Sequence, residues 1–170
     1  MYCETKRLIL REFSVEDADD LQEILGDAET MEYCEQPYAP DKTARFLREF
    51  CIGRHGALAA ELRETGKVIG YLLFNPSLAG CYELGWFFNR NFWRQGYAYE
   101  ACSALIEYAF ARLDAHKVWA ETIDGVRSVG LMKKLGMASE GIQRKQTKDL
   151  QGRWADLYLY GWLKEDFVTK

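Results

Sequence analysis

Residues 93 to 98, Trp-Arg-Gln-Gly-Tyr-Ala, join an apolar stretch to a helix-like one, and a turn of this kind can bind an anion. A helix N-terminus offers up to about four unpaired N–H groups and roughly half a positive charge. A diphosphate placed there accepts several backbone hydrogen bonds. Gly96 lets the backbone approach such a ligand, and Ala98 is too small to obstruct it. The side chains of Trp93, Arg94, Gln95 and Tyr97 can point away while their N–H groups point in, and Arg90 and Arg94 bring cationic charge nearby. Taken alone, the same residues describe an ordinary strand-to-helix turn with one glycine.

The acid–base groups are fewer. Glu83, on the strand leading into this turn, is the preferred general base, with Glu140 and Asp156 near the C-terminal strands as the other candidates. His55 and His116 have no recognisable partner and read as surface residues. Two isolated histidines and no cysteine cluster argue against a metal site. Cys3, Cys34, Cys51, Cys81 and Cys102 are odd in number and contain no C-x-x-C, which suits reduced thiols in a cytosolic protein.

A set of elements must hold these groups in place. The chain has 170 residues, enough for one domain, and its 48% hydrophobic and 28% charged content is that of an ordinary globule. A net charge of −4 argues against general nucleic-acid or membrane-surface binding. The N-terminal residues carry charge throughout, unlike a signal peptide, and the longest uncharged run, Val68 to Tyr82, is too short for a membrane helix of about 20 residues. A cytoplasmic location is the resulting expectation.

Leu8, Leu10 and Phe13 predict a first strand, and "SVEDADDLQEIL" a helix capped by Ser14 and ended by Gly26. A second helix is predicted from Asp41 to about Arg54, with Phe46, Leu47 and Phe50 inward. "ALAAELRE", "KVIGYLLF" and "YELGWFF" predict an antiparallel meander, its breaks at Thr65-Gly66 and across residues 75–80. After Gly96 a long helix presents Ala98, Cys102, Leu105, Ile106, Ala109 and Leu113 on one face. "KVWAETI" is a strand, "VRSVGLMKKLG" a short helix, and two further strands flank a turn near Gly152. The order β-α-α-β-β-β-α-β-α-β-β gives an α+β domain on one mixed, mostly antiparallel sheet. The strands on either side of the long helix should run parallel.

Four segments in this order carry a family resemblance: "ETKRLILREFSVEDADDL", "LGWFFNRNFWRQGYAYEA", "SVGLMKKLGM" and "EGIQRKQTKDLQGRWADLYLYGWL". The chain resembles the GNAT superfamily of acetyl-CoA-dependent N-acetyltransferases over nearly its full length, residues 1–170 forming one such domain. It is most similar to the branch containing ribosomal-protein N-terminal alanine acetyltransferases. The resemblance implies that the family turn Q/R-x-x-G-x-G/A, which wraps the coenzyme's pyrophosphate, falls on Trp93 to Ala98, with Trp93 departing from the general pattern. It implies that Trp86, Phe87 and Phe88 pair with the pantetheine arm and offer an N–H to the thioester carbonyl. The family often has Asn-x-x-Ser at the start of the short helix; here the segment is Gly125-Val-Arg-Ser128. The Tyr that many members place four residues later is Met132, leaving Ser128 as the proton donor or hydrogen-bond partner of the departing thiolate. Arg127, Lys133 and Lys134 are candidates for the coenzyme's phosphates.

The implied reaction is direct acetyl transfer from acetyl-CoA to a primary amine, without a covalent enzyme intermediate, since no cysteine or serine is paired with a base. Holding an α-amine neutral at pH 7 costs about 1.4 kcal/mol, against about 4.6 kcal/mol for a lysine, so an α-amine needs only a weak base. The acceptor is a ribosomal-protein or other peptide N-terminus, an antibiotic amine or a polyamine, handled by a monomer or homodimer. Helices within residues 15–54 and the loop near Gln151 should wall its pocket, and Glu29, Glu32 and Glu35 would suit a cationic acceptor. A non-catalytic acyl-CoA sensor is the alternative. A nucleotide-binding reading lacks the G-x-x-x-x-G-K-[ST] loop.

Overall fold

The computed structural model describes residues 3–168. Strands β1 (Cys3–Glu4) and β2 (Leu8–Glu12) open the chain, β1 being too short to leave a pattern in the sequence. The predicted helix at Ser14 begins as a 3₁₀ turn, Val15–Asp17, and α1 proper is Ala18–Leu25. The cause is the Asp17 carboxylate, which accepts the Ser14 N–H at 2.7 Å and both terminal Arg11 nitrogens at 2.8 Å. Those bonds tie the first turn to β2.

The second helix also differs from expectation. α2 (Pro40–Phe46) starts at Pro40, a favoured first helical position, and then widens into a π-helical segment, Leu47–Ile52. There the Gly53 N–H reaches back five residues to the Arg48 carbonyl, at 2.9 Å. Phe46 and Phe50 stack with centroids 5.0 Å apart, and the Phe50 ring fills the space where Gly56 has no side chain.

Strands β3 (Ala57–Leu62), β4 (Val68–Leu78) and β5 (Cys81–Phe88) form the expected meander. β4 continues through Asn75, Pro76 and Ser77, read from sequence as part of a loop. A register shift between Pro76 and Leu78 accommodates the missing proline N–H, and the Asn75 amide donates to the Gly56 carbonyl at 2.9 Å. Next come α3 (Tyr97–Arg112), β6 (Lys117–Thr122), α4 (Arg127–Lys134), β7 (Ala138–Lys148), β8 (Trp154–Leu163) and α5 (Lys164–Val168). The fold is α+β as expected, an eight-stranded sheet in the order β1-β2-β3-β4-β5-β6-β8-β7.

Each face of the sheet has its own core. Leu72, Phe74, Leu84 and Phe88 meet Leu105, Ile106 and Met132 on the face carrying α3 and α4. Val68 and Tyr71 meet Leu21, Ile24 and Leu47 on the face carrying α1 and α2. Among the described residues β5 and β6 form the one parallel pair, and their ladder spans only Cys81↔Lys117, Tyr82↔Val118 and Glu83↔Trp119. Beyond it β5 runs on to Phe88 and β6 to Thr122 without pairing each other, so the sheet forks at Glu83.

Candidate functional site

The turn from 93 to 98 lies at the open end of this fork, between β5 and α3. Asn89 sets the approach to it: this residue is 3% exposed, its side-chain oxygen accepts the Asn91 N–H, and its amide donates to Glu23. The Trp93 indole folds back to donate to the Phe88 carbonyl at 2.7 Å, and the Gln95 amide donates to the Asn91 carbonyl at 3.1 Å. Both side chains thereby leave the inner side of the turn. Arg94 takes a φ of 60° and Gly96 a φ of 84°, with Gln95 between them. Alternation of this kind gathers successive N–H groups on one concave side, forming an anion nest. Among the described residues, the backbone N–H groups of residues 94 to 99 find no hydrogen-bond acceptor.

β5 contributes an open edge. The Asn89 N–H donates to the Ile69 carbonyl on β4, at 2.9 Å. Successive residues of a strand turn their backbone groups to opposite edges. Leu84, Trp86 and Phe88 therefore face the fork, while Phe87 turns its backbone to β4 and its ring to Tyr71, 5.5 Å away.

Glu83 stands where the ladder ends. It is half-buried and accepts no hydrogen bond among the described residues; burial, and then the charge of Glu121, push its carboxyl above the usual range. The other two candidate bases are engaged elsewhere. Glu140 pairs with Lys117 at 2.5 Å, and Asp156 accepts the Lys145 N–H at 2.9 Å, which holds its carboxyl below the usual range. His55 and His116 are exposed, as expected.

The N-terminus of α4 faces the same fork. Asp124, 4% exposed, accepts the N–H groups of Val126, Arg127 and Ser128 at 3.0, 2.9 and 3.2 Å. Burial raises its pKa, but these bonds outweigh burial and hold the carboxyl ionised. The Ser128 hydroxyl also turns to Asp124, at 3.4 Å. Met132, at the position of the missing Tyr, is fully buried in the core. Gly125 has its own reason: a Cβ there would stand 3.0 Å from the Tyr158 hydroxyl. Tyr158 thus occupies the space an Asn would need, and it places a second hydroxyl beside α4. Sequence reading missed it because β8 pairs with β6 across a long loop of chain.

The cationic and acidic groups largely satisfy one another. Arg90 pairs with Glu29 at 2.6 Å, so its charge is directed away from the turn. Arg127 pairs with Glu32 at 2.7 Å and lies over the rings of Trp93 and Tyr33, 5.2 and 5.0 Å from their centroids. Glu35 accepts from Lys42 and from the Tyr38 hydroxyl, both at 3.0 Å. The three acids suggested for a cationic acceptor thus latch the segment between α1 and α2 to its neighbours. Arg94 and Lys133 stay exposed, and Lys134 stands over the Tyr99 ring at 4.9 Å. All five cysteines are free thiols, no metal-binding cluster occurs among the described residues, and none of their helices is long and apolar enough to cross a membrane.

Comparison with known proteins agrees with this fold. Residues 7–138 match the acetyltransferase (GNAT) domain model. The chain is 31% identical to YnaD of Bacillus subtilis, a protein named as an uncharacterized N-acetyltransferase, over 98% of this chain and 99% of that one. A GNAT-family acetyltransferase structure from Bacillus anthracis superposes with a TM-score of 0.90 at 27% identity, covering 97% of this chain and 99% of the other. The ribosomal-protein-S5-alanine acetyltransferase of Vibrio fischeri shares the fold, with a TM-score of 0.77 at 18% identity and 98% of each chain covered. With a domain match over most of its length and a relative 31% identical across nearly the whole chain, this chain belongs to the GNAT family of acetyl-CoA-dependent N-acetyltransferases.

Proposed function

We propose that this enzyme transfers acetyl from acetyl-CoA to a primary amine by direct attack within a ternary complex, the acceptor being a protein N-terminus or a small-molecule amine. The observation that carries the reading is the run of acceptor-free N–H groups at residues 94 to 99, set at the open end of the β5–β6 fork. These donors suit the diphosphate of the coenzyme, with Arg94, Gln95, Gly96, Tyr97 and Ala98 binding through the main chain, whereas the Trp93 N–H expected to join them already donates to the Arg90 carbonyl, at 3.2 Å. The edge of β5 at Trp86 and Phe88 suits an extended, amide-bearing arm paired as an added strand, with the Phe87 ring supporting it from the α1 side. An N–H on that edge, aimed at the thioester carbonyl, stabilises the negative oxygen as the amine attacks.

Glu83 is the best base among the carboxylates. Among the described residues it has no partner to hold its proton affinity down, and its raised pKa moves it toward the range where a base works at neutral pH. A water between Glu83 and the amine relays the proton. At the other end of the fork, Ser128 and Tyr158 bring hydroxyls to the departing thiolate. The balance of α-amine over lysine favours a peptide N-terminus, a ribosomal protein's among them, and the enzyme works in the cytoplasm as a monomer or homodimer. The test is thiol release from acetyl-CoA with a panel of amines and N-terminal peptides. Turnover that falls roughly tenfold or more in Ser128→Ala or Tyr158→Phe, with CoA affinity unchanged, supports these roles. CoA binding without turnover on any amine would instead mark a non-catalytic acyl-CoA sensor.

A further inference from the structure

We infer that Arg7 is a positioning residue that sets the coenzyme-binding turn in its binding shape from behind; the inference rests on the coenzyme reading above. Arg7 lies in the bend between β1 and β2, far from the turn in sequence, yet it is fixed at four points around it. Its N–H donates to Glu100 Oε1 at 2.8 Å, and its Nε to Glu100 Oε2 at 2.7 Å. Its guanidinium lies 4.1 Å above the centroid of the Tyr97 ring, and its Nη1 donates to the Gln95 carbonyl at 3.0 Å. The Thr5 hydroxyl adds a bond to Glu100 Oε1 at 2.6 Å, so the carboxylate that orients Arg7 is itself held.

The bond to Gln95 matters because of peptide geometry. In a trans peptide the C=O and the following N–H point in opposite directions. Fixing the Gln95 carbonyl toward Arg7 therefore fixes the Gly96 N–H toward the nest. Gly96 tolerates either orientation of this peptide, and a flipped peptide would present a carbonyl oxygen to a phosphate. Among the described residues, no other group bonds the Gln95 carbonyl. A cleft of about 450 Å³ lined by Thr5, Arg7, Gly96 and Glu100 lies behind the turn, and a side chain at Gly96 would meet only Arg7 Nη2, at 3.5 Å. Arg7 thus acts through the turn's backbone, by holding one of its peptides, and never needs to touch the ligand.

The experiment compares wild type with Arg7→Ala, Arg7→Lys and Glu100→Gln. It measures CoA affinity by calorimetry, KM and kcat for acetyl-CoA, and the Gly96 amide resonance. Losing a hydrogen bond from a charged group weakens binding by about tenfold or more. The expected result is that rise in Kd and KM for Arg7→Ala with kcat at saturation nearly unchanged, and a displaced Gly96 amide in the free protein. Arg7→Lys should fail to restore affinity, because one ammonium cannot reproduce the fork that spans Glu100 and Gln95. Glu100→Gln keeps the side chain's shape, and should fall between. Unchanged KM in Arg7→Ala, or full rescue by Lys, would overturn the inference, the latter by showing that charge alone suffices. If Arg7→Ala does not fold, the other two variants decide the question by the same readouts. Wild-type protein that bound no CoA would overturn the coenzyme reading, and the role of Arg7 with it.

Discussion

Glu83 stands at the fork without a hydrogen-bond partner among the described residues, and its environment favours the protonated form twice over. Burial penalises its charge, and Glu121, two residues beyond Trp119 on the neighbouring strand, repels it. A base must be deprotonated to act, so kcat should fall as pH drops through the pKa of Glu83. That acidic limb should lie above the ordinary glutamate value of about 4.3. Replacing Glu121 by Gln removes the repulsion but leaves burial, so the limb should move to lower pH without reaching the ordinary value. Glu83→Gln should lower kcat by about 10²-fold or more while CoA affinity stays the same. A pH profile of kcat that does not move in the Glu121 variant would mean that another group titrates there. Glu140 and Asp156, each already bound by a lysine or its N–H, would then need fresh consideration only if those contacts opened.

The turn and the helix behind it work as one element, and the positive φ of Gly96 is the point where substitution tells most. A side chain there has room, meeting only Arg7 at ordinary contact distance, so the penalty lies in the backbone. A non-glycine residue in the left-handed region costs about 1–2 kcal/mol, and a β-branched one more. Gly96→Val should therefore weaken CoA binding by well over tenfold, whereas Gln95→Ala, which loses one exposed side-chain bond, should change it by only about twofold. Equal losses in a calorimetric comparison would show that side chains hold the phosphate. This element was legible in the sequence because its cues are local: a lone glycine, then Cys102, Leu105, Ile106 and Ala109 at helical spacing. What was illegible is long-range. Nothing near Arg7 points to Glu100, nothing near Gly125 points to Tyr158, and the ion pairs of Glu29 and Glu32 reach elements far along the chain. The extension of β4 through Pro76 rests on a bulge that no local pattern announces.

At the scale of the whole molecule, the fork divides the sheet into two unequal parts, β1 to β5 and β6 to β8. Three residue pairs join them directly, and α3 packs over the join with Leu105, Ile106 and Ala109 in a core shared with Val118 and Ala120 of β6. A coenzyme seated in the fork would touch both parts at once, replacing missing strand contacts with its own amides. Binding to the folded state alone stabilises it by about 2.7 kcal/mol at a hundred times Kd, which in a chain of this size raises Tm by roughly 5–10 °C. The distribution of that gain is more informative than its size. If the arm pairs with the edge of β5, hydrogen exchange should slow at residues 86 and 88 and on β6 near Thr122, as well as at residues 94 to 99. Slowing confined to 94–99, with the same rise in Tm, would mean that the diphosphate alone anchors the coenzyme. The fork would then be a consequence of sheet twist, and the open edge of β5 would have no part in binding.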